Sequence, residues 1–118
     1  MRLHFDEQLA ELKTELTKMG AECEEVIALA AKALTQGEPE LAKKVVVIDG
    51  DIDRMERDIE SLCLKLLLQQ QPVARDLRQI SAAIKMITDM ERIGDQAADI
   101  AEIIGFLKGR TGAECEYI

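Results

Sequence analysis

Aromatic side chains make up only 3% of this 118-residue chain, which has no tryptophan, two phenylalanines and one tyrosine. What fills the space instead is Ala, Leu, Glu and Lys, residues that favour helix. There is one histidine, His4, so the Glu-x-x-His pairs of a di-iron carboxylate bundle cannot be assembled. No P-loop, Gly-rich dinucleotide turn or activated serine or cysteine constellation is present, which leaves catalysis little to work with. The three cysteines, Cys23, Cys63 and Cys115, are odd in number and far apart, which fits neither a disulfide framework nor a CxxC zinc site. We expect three reduced thiols, two of them acting as small hydrophobes in apolar helical stretches.

Long apolar runs are also missing. None approaches the roughly 20 residues that span a bilayer, and residues 1–10 are polar and charged with no apolar signal core. The expectation is a cytoplasmic protein. Basic residues are in deficit, with 15 Lys and Arg against 23 Asp and Glu and a formal charge of −8. That balance disfavours nucleic acid, whose binding rests on cations displacing counterions, and equally disfavours anionic lipid.

What is present is a strong helical period in a length suited to one domain. Phe5, Leu9, Leu12, Leu16, Met19, Cys23, Val26, Ala30 and Ala33 recur at alternating spacings of four and three, one stripe of a long helix that stops near Gln36 and Gly37. Leu41, Val45, Ile48, Ile52, Met55, Ile59, Leu62 and Leu66 repeat the pattern, so a second helix is predicted from about Glu38 to about Gln69, with Pro39 in its first turn. A turn follows over 69–72, and a third helix runs from Pro72 or Val73 to about Lys108. Short connections between long helices make neighbours antiparallel, hence an all-α, up-down-up three-helix bundle over 1–108.

The third helix is less regular. Val73, Leu77, Ile80, Ile84 and Ile87 set one stripe, and Met90, Ile93, Ala97, Ile100, Ile104 and Leu107 take up another phase. Either the helix packs on two sides or the buried face shifts. The spacing favours the shift, with Glu91 and Asp95 facing water as helix charges usually do. If both phases are apolar faces, they offer more hydrophobic surface than three helices need, and a homo-oligomer, most simply a homodimer, is expected.

Beside the apolar seam lie paired acids. Asp49 and Asp53 are four residues apart on the second helix with Glu56 close by, and Glu91 and Asp95 have the same spacing on the third, followed by Asp99. Like charges at this spacing repel, so each pair calls for a counter-ion. Oxygen ligands without Cys or His suit a hard cation such as Mg²⁺ or Ca²⁺, and carboxylate-rich sites also hold Mn²⁺, Fe and Zn²⁺. Salt bridges from Arg54, Arg57 and Arg92 would serve the same need, and spacing alone does not choose between them.

Two blocks carry a resemblance. Gln71-Pro72-Val73-Ala74-Arg75-Asp76-Leu77-Arg78 followed by Asp89-Met90-Glu91-Arg92-Ile93-Gly94-Asp95 resembles the QPxAxDLR and LERIGD blocks of PhoU proteins, at fitting separation. Arg2 and Phe5 with Leu9 and Leu12, Met19-Gly20, and Asp49 with Asp53 match other recurring positions. The resemblance covers Arg2 to about Ile104, and it implies that residues 109–118 are a linker or the start of a further helix. It implies a repeat of a family built from two tandem three-helix bundles, whose D/ExxxD pairs on the second and third helices hold metal clusters. Carried over by position, the ligands would be Asp49, Asp53, Glu91 and Asp95, with Asp99 as a further position where the family often has Asn. Counted along antiparallel helices from the turn at 69–72, Asp53 stands level with Glu91, and Asp49 with Asp95 one turn on.

The resemblance also implies a role: a non-enzymatic negative regulator of phosphate transport and phosphate homeostasis. It would contact the phosphate ABC transporter and a PhoR-type sensor histidine kinase and would hold multivalent metal, with iron, zinc, magnesium and manganese all open. Metal-dependent hydrolysis, in which the cation activates water, and a plain helical scaffold are the alternatives. The first lacks an evident general acid or base of ordinary pKa near 7.

Overall fold

The computed structural model describes residues 2–69 and 72–108. They form α1 (Arg2–Gln36), α2 (Pro39–Gln69) and α3 (Ala74–Lys108), with no strand among the described residues. The expected linker at 109–118, Cys115 within it, and Gln70 and Gln71 of the expected turn lie outside the described residues.

Local chemistry fixes the helix ends. Gly37 adopts φ 66° and donates its N–H to the Ala33 carbonyl at 2.7 Å, the left-handed stop that glycine accepts without a Cβ penalty. One residue on, the Glu38 carbonyl accepts the first amides of α2, from Leu41 at 3.2 Å and Ala42 at 3.4 Å, with Pro39 in the position where its missing N–H costs nothing. At the start of α3, Asp76 reaches back and its Oδ2 accepts the Val73 N–H at 3.1 Å. This is the return half of a capping box. Asp76 is the buried charged residue of the described chain, 1% exposed, so the Asp of the QPxAxDLR block has a structural task at the turn.

The three helices form a rod of 64 × 18 × 16 Å. The contact between α2 and α3 is the most extensive, and α1 packs on both. Phe5, Met19, Ile52, Ile59, Leu66, Ile80 and Ile87 are fully enclosed, each contributing about 1.5 to 3 kcal/mol by burial. The stripes expected for α1 and α2 line this core, with Leu9, Leu16 and Met55 at its edge.

On α3 the structure corrects the sequence reading. Leu77 is 42% and Ile100 38% exposed, so neither belongs to the core. The buried positions are Asp76, Ile80, Ala83, Ile87, Gly94, Ala97, Ala101 and Ile104, with Met90 partly buried between them. Those nine positions alternate in steps of four and three without interruption. There is one stripe and no change of phase. The second apolar set mixed stripe members, Met90, Ala97 and Ile104, with edge positions, Ile93, Ile100 and Leu107, and the break was produced by members that a search for large hydrophobes passes over: Asp76, Ala83, Gly94 and Ala101. Nor do Glu91 and Asp95 stand clear in water. They are partly buried, each one residue beyond a stripe position.

Candidate metal centre

The same offset occurs on α2, where Asp49 follows Ile48, Asp53 follows Ile52 and Glu56 follows Met55. Two helices that press together along their stripes thereby bring their flanking carboxylates into one strip. Asp49, Asp53 and Asp95 each offer an oxygen within 4.8 Å of the others. Metal–oxygen bonds of about 2.0 to 2.6 Å allow two oxygens on one ion to stand up to roughly 4 to 5 Å apart, so the three suit a single cation. Glu91 adjoins this set through Asp95, which favours its protonated form, and feels the charges of Glu56 and Asp53. Asp99 is exposed and acts on Asp49 through its charge, the weakest of the influences there.

Gly94 leaves the room that Asp49 occupies at this contact. A Cβ at this position would come within 2.9 Å of Asp49 Oδ1 and within 3.3 and 3.4 Å of the Ile52 side chain, closer than ordinary packing.

The arginines considered as neutralising partners do not neutralise this cluster. Arg54 pairs with Asp51, and Asp51 lies on the side of Glu22 of α1, whose carboxyl it helps to raise. Arg57 is exposed and acts on Glu56, and Arg92 is exposed. Among the described residues no ion pair reaches Asp49, Asp53, Glu91 or Asp95.

Uncompensated charge shows in the proton affinities. Burial, then the charges of Asp53 and Asp95, pushes the Asp49 carboxyl from its ordinary 3.8 up to about 6. Hydrogen bonding toward Asp95, then burial, then neighbouring charges push Glu91 from 4.5 up to about 7. Glu56 is also raised, by burial first and then by Glu60, Asp53 and Asp95. Asp49 Oδ1 and Asp53 Oδ1 are buried without a hydrogen-bond donor, a costly state for a carboxylate oxygen. A multivalent cation would satisfy both atoms and reverse the pressure to protonate, so the donor set fits one. Bound there, it would cross-link α2 to α3.

The four carboxylates that the resemblance carried over thus fall on one strip, Asp49, Asp53 and Asp95 tightly and Glu91 beside them. Asp99 stands outside the 4.8 Å group. Two contributors were not picked out as such from the sequence: Gly94, whose missing Cβ admits Asp49, and Asp76, which holds the start of α3. The i, i+1 relation between stripe and acid would have exposed Gly94 once small residues were counted as stripe members.

Comparison with known proteins gives the family. Residues 16–104 match the PhoU domain. A phosphate-specific transport system accessory protein PhoU homolog of Clostridium acetobutylicum is 41% identical over 106 residues, covering 89% of this chain and 48% of that protein. Homologs of the same name from Synechocystis sp. and Aquifex aeolicus are 38% and 41% identical, covering 86% and 80% of this chain and 46% and 43% of their own lengths. The chain spans about half the length of the curated relatives it matches. With most of its residues inside the domain match and the motif acids gathered where α2 meets α3, the chain belongs to the PhoU family.

Proposed function

We propose that this chain is a metal-binding, non-enzymatic regulator of phosphate uptake and phosphate-starvation signalling. It works as a cytoplasmic adaptor that docks on a phosphate ABC transporter and its PhoR-type sensor histidine kinase and restrains both. The relatives' name, accessory protein of a phosphate-specific transport system, supports the transport half of this reading. Among the described residues no helix is long and apolar enough to cross a membrane, and the net charge of −8 suits docking on a complementary basic surface.

The observation that carries the metal part is the Asp49, Asp53 and Asp95 cluster, with two buried, donor-less oxygens and no arginine turned toward it. Asp49, Asp53, Glu91 and Asp95 would hold the ion, with Asp99 as an outer contributor, and iron, zinc, manganese or magnesium would each accept such oxygens. The unit that does this is residues 1–108, read as an up-down-up antiparallel bundle. The short α1–α2 connection and the 18 × 16 Å cross-section support that reading. Residues 109–118 are then a linker or the start of a further helix. Exposed hydrophobics such as Ile27, Val47, Leu68, Ile103 and Phe106 favour a homo-oligomer, most simply a dimer.

Elemental analysis of the purified protein, with thermal melts before and after chelation, tests the metal part. Metal in the untreated protein and a lower midpoint after stripping are expected, with Asp95→Ala reducing the metal content. A metal-free protein whose midpoint ignores both chelator and added cation would refute it. For the regulatory part, deletion of the gene is expected to raise phosphate-starvation gene expression in phosphate-rich medium, and unchanged expression in a strain with no second PhoU-like protein would count against it.

A further inference from the structure

Gly94 stands out because its neighbourhood is the reverse of what a helix interior usually asks for. Glycine disfavours helix relative to alanine, yet Gly94 sits in the middle of the 35-residue α3 and is buried. The reason lies across the α2–α3 contact. A Cβ there would stand 2.9 Å from Asp49 Oδ1 and 3.3 Å from Ile52 Cδ1. Other glycines of the chain face no such pressure: a Cβ at Gly20 or Gly105 meets nothing within 4 Å, and one at Gly50 meets only the tip of Arg54 at 4.0 Å. The backbone of α3 is therefore admitted against the carboxylate that carries a buried, donor-less oxygen, one residue from Asp95.

Resting on the metal-binding reading above, we propose that Gly94 is a positioning residue for the carboxylate centre: its missing side chain sets the reach of Asp49 toward Asp53 and Asp95, and thereby the affinity for cation. A methyl group at 94 has two ways to be accommodated. The Asp49 carboxylate is the far end of a short side chain and swings aside, or Ile52 and the helix contact must give. The first is the easier, because it moves one torsion instead of a packed core residue that is 0% exposed. Once Asp49 has swung away, the three oxygens no longer converge, while the core and the helices persist. Alanine's better helix propensity acts in the opposite direction on stability. The substitution thus separates metal affinity from folding.

The test uses the full chain stripped of metal and titrated with Mn²⁺ in a calorimeter, alongside melts of the metal-free form. The variants are Gly94→Ala, Gly94→Ala/Ile52→Val and the control Gly50→Ala. Gly94→Ala is expected to weaken Mn²⁺ binding by about 10- to 100-fold, the range seen when groups that orient ligands are altered, with a metal-free midpoint equal to or above wild type. The double variant removes the Ile52 Cδ1 contact and leaves the Asp49 clash, so its binding is expected to stay weak, and Gly50→Ala is expected to bind as wild type. Wild-type affinity in Gly94→Ala overturns the proposal. So does recovery of affinity in the double variant, which would assign the effect to Ile52, or a loss of affinity matched by a lower metal-free midpoint in both Gly94 variants. Failure of the wild-type chain to bind Mn²⁺ or any other cation tested would instead remove the metal-binding reading itself.

Discussion

Acidification from pH 7.5 to 5.5 is expected to stabilise the metal-free protein, the opposite of the usual behaviour of a fold held by ionised carboxylates. Asp49 is raised from 3.8 to about 6 and Glu91 from 4.5 to about 7 by burial and crowding among like charges. A carboxyl that binds its proton more tightly in the folded state contributes stability that is complete below its unfolded value, near 4, and is lost as pH climbs through the folded value. The window is therefore about pH 4 to 7.5. At about 1.4 kcal/mol per pH unit, two independent and fully buried groups raised this far would contribute several kcal/mol. Both face solvent in part, and both answer to the same neighbour, Asp95, so screening and coupling leave about 1 to 2 kcal/mol. For a domain of this size that corresponds to roughly 4 to 10 °C in midpoint. Calorimetric melts in chelator at pH 7.5, 6.5 and 5.5 read it directly, and Glu91→Gln should flatten the rise. Saturating divalent cation should invert the trend, because ligands must shed their protons to bind and a bound ion stabilises most where they are ionised. A chelated wild-type midpoint that stays level or falls over this range would refute the crowding argument.

Three further outcomes follow from the fold. Ile59→Ala, at a fully buried α2 position 1% exposed, is expected to cost about 2 to 5 kcal/mol in denaturant unfolding, and Ile103→Ala, 55% exposed, about 0.5 kcal/mol or less. Gly37→Ala is expected to cost about 1 to 2 kcal/mol, because φ 66° is a left-handed conformation that a Cβ disfavours, and hydrogen exchange should show the last turn of α1 opening more readily. Asp76→Ala removes the acceptor of the Val73 N–H, and about 1 to 2 kcal/mol of stability should go with it, with Asp76→Asn intermediate by the same unfolding assay.

How far the fold was legible differs between the helices for a physical reason. On α1 and α2 nearly every core position is filled by a large or medium apolar side chain, so the four-and-three spacing from Phe5 to Ala33 and from Leu41 to Leu66 is the buried face itself. Their ends were legible too, because the stop at Gly37 and the start at Pro39 rest on backbone properties peculiar to those two residues. On α3 the spacing of large hydrophobes misled. Leu77 and Ile100 are big and apolar yet exposed, while Asp76, Gly94 and Ala101 are small or polar yet buried. Size and hydropathy report burial only where burial is used to fill volume.

The apparent break in α3 falls at 90–95, where the acids are, and the two facts have one cause. For carboxylates on two helices to converge within 4.8 Å, the backbones must approach closely, and close approach demands small residues on the stripe. Gly94 and Ala97 supply them on α3. The same approach places acids at the i+1 positions of both helices on one strip, half out of water, where Asp49 and Glu91 are raised in pKa and, among the described residues, no ion pair reaches them. Read from one helix at a time, Asp49 and Asp53 or Glu91 and Asp95 are indistinguishable from solvated charges, and Arg54 looks like an available partner. Only the pairing of helices shows that Arg54 turns to Asp51 on the other flank. The motif acids could be named from the sequence because a family resemblance supplied them. Their crowding could not, because it is a property of how α2 and α3 meet, where Asp49 is admitted against a residue with no side chain.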